Sequence, residues 1–104
     1  MKKLSLALLA LIFLGGCATQ SGSETVWIDV RSAEEYSLEH REGAINIEFT
    51  EIVAGVREAG FDQDAEILLY CGSGRRAGIA LEALEDAGYS NVTNRGGIAD
   101  VLAN

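Results

Sequence analysis

The sequence predicts one α/β domain in three layers, a mainly parallel central sheet flanked by helices on both faces. Three observations carry that expectation. Short β-branched or aromatic runs alternate with helix-like segments along residues 25–104. One run, Glu66-Ile67-Leu68-Leu69-Tyr70, is almost continuously apolar, as a strand covered on both faces should be. Glycines stand where the helices should stop.

Taken in order, residues 25–30 (Thr-Val-Trp-Ile-Asp-Val) form the first strand. Ser32 and Glu35 then have the spacing of a capping box, so a helix runs from residue 33 to about residue 39, and Gly43 breaks the chain after it. Residues 44–47 make a short second strand. Thr50 is placed to cap a helix over residues 51–59, which Gly60 ends, and Asp62-Gln63-Asp64 supplies a polar turn. The apolar third strand leads into Cys71-Gly72-Ser73-Gly74-Arg75-Arg76. Beyond it, Ile79, Ala80, Ala83, Leu84 and Ala87 share one helical stripe, with Glu82, Glu85 and Asp86 opposite. Gly88 terminates that helix, residues 91–94 give a last strand, and Gly96-Gly97 lead into a small terminal helix. No internal repeat is present, and a second domain would not fit.

Composition narrows the function. The 104 residues hold 8 basic and 16 acidic side chains, a formal charge of −8, with two Cys, one His and no Pro. That balance argues against a nucleic-acid binder, and 48% hydrophobic residues argue against disorder. Two Cys and one His supply few soft ligands, so no metal is expected, and no organic cofactor is called for.

The first residues read as an export signal. Lys2 and Lys3 precede the apolar run from Leu4 to Leu14, which is too short to span a bilayer. The run ends in Leu14-Gly15-Gly16-Cys17, which resembles the lipobox of bacterial lipoproteins. The resemblance implies a signal peptide over residues 1–16, removed by cleavage, and a lipid on Cys17. It implies membrane attachment in the cell envelope facing the periplasm, with the outer membrane favoured in a Gram-negative host because Ala18 follows the Cys. Residues 17–24 are then anchor and tether, and residues 25–104 the folded domain. Without the signal the chain carries six Arg, 16 acidic residues and no Lys. A lipidated Cys17 leaves Cys71 without an internal disulfide partner; the competing arrangement is a Cys17–Cys71 disulfide.

Residues 71–76 concentrate the chemistry. They lie between a buried strand and a helix N-terminus, where ligands bind in open α/β sheets and where unpaired N–H groups favour anions. A thiol at that place is pushed toward thiolate. Gly72 and Gly74 let the turn curl with its N–H groups inward, and Arg75 and Arg76 add two cations. Against this stands an inert Cys71 filling a turn beside two solvated arginines. The combination of apolar strand, two glycines, two arginines and amphipathic helix favours a reactive centre.

Here the sequence resembles the single-domain rhodaneses, most closely the small exported phage-shock type. The residues Tyr70 to Ala77 look like that family's active-site loop. Asp29-Val30-Arg31, Glu35-Tyr36 and the segment His40 to Ile47 follow its opening signature, and Ala87 to Val92 and Gly96-Gly97-Ile98 its final segments. Glu39 and Arg41 depart from the pattern, and Asp100 and Val101 stand where an aromatic residue is common. The resemblance implies a rhodanese-like fold and thiosulfate sulfurtransferase activity through a Cys71 persulfide, passed to a thiol acceptor. Gly72, Ser73, Gly74, Arg75, Arg76 and Ala77 would bind the substrate, with Arg76 the better candidate to face inward. Six residues from Cys71 to Arg76 fit the rhodanese loop rather than the seven of related cysteine phosphatases and arsenate reductases. Those enzymes remain alternatives, as does a non-catalytic persulfide carrier or oxyanion-binding module. The domain is expected to be monomeric.

Other polar residues read as structural. His40 should cap or pack, Asp29 and Arg31 should pair, Trp27 and Phe49 should lie in the core, and Glu34-Glu35 should form a solvated helix face.

Overall fold

The computed structural model describes residues 24–103. The expected signal (residues 1–16), Cys17 and the tether up to Ser23 lie outside the described residues. In chain order the elements are β1 (Thr25–Asp29), α1 (Ala33–Leu38), β2 (Ile45–Asn46), a 3-10 turn (Phe49–Glu51), α2 (Ile52–Ala59), β3 (Glu66–Cys71), α3 (Arg75–Asp86), β4 (Val92–Gly97) and α4 (Ile98–Ala103). The four strands form one sheet in the order β2-β1-β3-β4, and every neighbouring pair is parallel. The expected architecture is therefore the observed one.

Strand alternation divides the core between two faces. Val26, Ile28, Val30, Ile67, Leu69 and Cys71 pack with Ile52 and Val56 of α2 and Ala77, Ala80 and Leu84 of α3. On the other face Tyr70 packs with Ala44 and with Val101 of α4, and Trp27 and Ile98 lean against them. Tyr70 is fully buried, and its hydroxyl accepts the Arg41 N–H at 2.9 Å. Burial disfavours the phenolate and pushes its pKa up to about 12.

Several sequence expectations need correction. Thr50 caps nothing: a 3-10 turn leads into α2, and Glu51 at the N-cap makes no side-chain bond. Ile79 is 45% exposed, and the buried stripe of α3 is Ala77, Ala80 and Leu84, because the helix leans on its small residues against β3. Trp27 and Phe49 are half-buried at the margins of the two clusters. Gly96 and Gly97 are the end of β4, not a link beyond it. Gly60 and Gly88 stop their helices as expected. No helix among the described residues is long and apolar enough to cross a membrane.

Candidate active site

Cys71 is the last residue of β3, on the face covered by α3. Gly72, Ser73 and Gly74 turn the chain into α3, whose N-terminus carries no side-chain cap. Gly74 makes this possible, since its φ of 99° lies in the left-handed region. A Cβ there would also sit 3.3 Å from Gly96 Cα.

The uncapped N–H groups turn toward the Cys71 sulfur. Gly74 N–H donates to Sγ at 2.9 Å and Ala77 N–H at 3.4 Å. Burial pushes the thiol pKa up, but the N–H groups of Ala77, Ser73, Gly74 and Arg76 together outweigh it, and the pKa falls below the ordinary thiol value. Cys71 has no exposed surface, whereas Gly72, Ser73 and Arg75 around it are exposed. The thiol is thus activated and covered at once.

Two residues outside the contiguous turn, Gly97 and Asn94, support it. A Cβ on Gly97 would lie 2.5 Å from the Gly72 carbonyl oxygen, so β4 approaches this closely because Gly97 has none. Asn94 Nδ2 donates to the Gly74 carbonyl at 3.0 Å, while its Oδ1 accepts the Gly96 N–H at 2.8 Å. The glycine pair was the available signal, since adjacent glycines at a strand end permit close backbone approach.

The two arginines of the loop differ. Arg75 is exposed on the first turn of α3. Arg76 forms a two-pronged ion pair with Glu35, Nη1 to Oε1 at 2.9 Å and Nη2 to Oε2 at 3.3 Å. Its hydrogen bond to Glu35 raises the guanidinium pKa against the cost of burial, and the charges of Glu35 and Cys71 raise it further. Glu35 is therefore not a simple solvated helix face. Its Oε1 also accepts from Ser32 N–H and Oγ at 3.0 Å each, completing the expected capping box. These bonds, the one to Arg76 first, hold its carboxyl at about 2.

The remaining structural expectations stand. Asp29 and Arg31 pair at 2.8 Å with side chains almost wholly buried, and Asp29 Oδ1 also accepts the Arg31 N–H at 2.9 Å. His40 stacks on Tyr36 with ring centroids 3.7 Å apart, its Nδ1 2.7 Å from the Tyr36 carbonyl. On the sheet face opposite Cys71, a cavity of about 130 Å³ is lined by Trp27, Arg41, Arg95, Asp100 and Val101. The guanidinium carbons of Arg41 and Arg95 stand 3.9 and 5.4 Å from the Trp27 ring centroid. None of the residues expected to bind substrate lines it.

The model of the rhodanese-like domain matches residues 18–104. The chain is 43% identical over 75 residues to the thiosulfate sulfurtransferase PspE of Escherichia coli, covering 72% of each. It is 38% identical over 79 residues to a probable adenylyltransferase/sulfurtransferase, MoeZ, of Mycobacterium tuberculosis, of which it spans 20%. Among solved structures, a rhodanese with anions from E. coli superposes with a TM-score of 0.70 at 42% identity, covering 73% of this chain and 89% of that one. A rhodanese-like domain from Anabaena, at 22% identity and a TM-score of 0.71, shares the fold.

Proposed function

This chain belongs to the rhodanese-like domain family and is a sulfurtransferase, and on that premise we propose that it moves sulfur from thiosulfate to a thiol through a persulfide on Cys71. The observation that carries the reading is the convergence of backbone N–H groups on the Cys71 sulfur, which lowers its pKa despite burial.

The chemistry follows from that geometry. The Cys71 thiolate attacks the outer sulfur of thiosulfate; a new S–S bond forms, the old one breaks, and its electron pair leaves with sulfite. The persulfide anion takes the place of the thiolate before the N–H groups of Ser73, Gly74, Arg76 and Ala77, which are set for negative charge without rearranging. An acceptor thiolate then takes the outer sulfur, and the bonding pair returns to Cys71. Gly72, Ser73, Gly74, Arg75, Arg76 and Ala77 line the route.

We also propose that the domain is tethered in the cell envelope, facing the periplasm, as a monomer. Lys2 and Lys3, the apolar run and Leu14-Gly15-Gly16-Cys17 support removal of residues 1–16 and a lipid on Cys17. A lipid with an added acyl chain anchors stably.

Mass spectrometry after thiosulfate treatment tests the mechanism. The wild type should gain one sulfur on Cys71 and turn over with cyanide, and Cys71→Ser should lose both. Turnover surviving the substitution removes Cys71 from the mechanism. Sulfur uptake without transfer to cyanide or thiols makes the domain a carrier, and aryl phosphate hydrolysis without uptake makes it a phosphatase.

A further inference from the structure

We propose that Glu35 is a charge-cancelling positioning residue of this site. It holds Arg76 in a two-pronged ion pair beside the Cys71 turn, so that Arg75 and backbone N–H groups bind the anionic substrate and the departing sulfite meets no free clamp. The inference rests on the sulfur-transfer reading above and deepens it.

Glu35 lies 41 residues from Arg76 in the chain but directly beside it in space. Strands β1 and β3 pair in register with the same offset, Asp29 against Tyr70, and equal-length junctions carry it forward to Glu35 and Arg76. The carboxylate is fixed from both sides, by Ser32 on its own helix and by Arg76 on the next. The guanidinium in turn lies over the turn, since a Cβ on Gly72 would sit 3.1 Å from Arg76 Nη2. A bidentate fork of this kind uses the donors a tetrahedral oxyanion would need.

The charge arithmetic gives the consequence. Around the Cys71 turn stand Arg75 and Arg76 on α3 and Glu35 on α1, and β4 contributes Gly96 and Gly97, while Asp29, the last residue of β1, is paired with Arg31. Cancelling Arg76 leaves Arg75 as the net cation at the turn. Thiosulfate and sulfite are both anions, so an uncancelled Arg76 would hold substrate and product alike. Such uniform binding gains nothing in turnover and slows release.

The experiment compares wild type, Glu35→Gln and the double variant Glu35→Gln/Arg76→Gln in the full chain. Three readings are taken: KM for thiosulfate, inhibition by sulfite, and the pH midpoint of Cys71 alkylation, followed on the Cys71 peptide. Glu35→Gln should lower KM and the sulfite inhibition constant about three- to tenfold, as expected for one partly exposed charge. It should also move the alkylation midpoint to lower pH. The double variant, again neutral, should return all three toward wild type. A Glu35→Gln enzyme with unchanged or higher KM and an unmoved midpoint overturns the proposal and leaves Glu35 a helix cap. So does a double variant that stays away from wild type. The alkylation reading needs no turnover: a wild type that takes up no sulfur defeats the sulfur-transfer reading, while the midpoint shift still decides the charge-cancelling role.

Discussion

The two central strands, β1 and β3, end side by side and feed helices through junctions of equal length, yet the junctions are built in opposite ways. At the end of β1 the buried side-chain polar groups have internal partners. Asp29 takes up Arg31, Asn46 Nδ2 donates to the carbonyls of Asp29 and Arg31 at 3.0 Å each, and Ser32 with Glu35 caps α1. At the end of β3, Gly74 occupies the cap position without a side-chain bond, and the freed N–H groups turn to a sulfur. The thiol pKa falls where the cap is left out, because an unpaired helix N-terminus is a fixed positive potential. Glu35 joins the closed junction to the open one through its ion pair with Arg76.

The sharpest way to break this comparison is at the closed junction. Asp29→Ala should destabilise the domain by about 3–5 kcal/mol, since it takes the carboxylate from a buried guanidinium and the acceptor from one N–H. That is a large share of the roughly 5–15 kcal/mol that holds a typical domain. Urea melts would show it; a loss below about 1 kcal/mol would mean that the β1 end is no closed strut.

A smaller effect is expected at the open junction. Gly74→Ala forces a Cβ into the left-handed region and against Gly96, at a cost of about 1–2 kcal/mol. Because the Gly74 N–H is the shortest contact to Sγ, Cys71 alkylation at neutral pH should slow as well. A variant that melts earlier with an unaltered thiol would show that the other N–H groups suffice.

What could be read from the sequence was mostly what is local. The capping-box partners are three residues apart and the Asp29–Arg31 partners two, so spacing alone announced them. The β3–α3 turn was legible because its glycines, Cys and arginines are contiguous. Partners across elements were not: Glu35 with Arg76, Asn94 with Gly74 and Arg95 with Trp27 depend on which strands pair and in which register. Ile79 failed for a related reason. Helical periodicity gives a stripe but not its centre, and close approach to β3 selected Ala77 and Ala80 over larger neighbours. Thr50 looked like a cap because caps are recognised by residue type, whereas the chain entered α2 through a tighter turn.

The mildest change tests how far the cap of α1 reaches across the Glu35–Arg76 link between the two junctions. Ser32→Ala removes the hydroxyl that accepts the Glu35 N–H and should cost about 1 kcal/mol, as cap losses do. Arg76 still grips the carboxylate, so the alkylation midpoint of Cys71 should not move. The pH dependence sharpens the point. The Glu35 carboxyl is held at about 2, below its ordinary 4.5, so its contribution is complete above that ordinary value and fades as pH falls through the lower one. Both Arg76 and Ser32 produce that depression. Ser32→Ala should therefore narrow the window without closing it, seen as a shallower loss of melting temperature between neutral and strongly acidic pH. A Cys71 midpoint that shifts with Ser32 would mean that the cap of α1 acts through to the sulfur, and that the closed junction belongs to the active site.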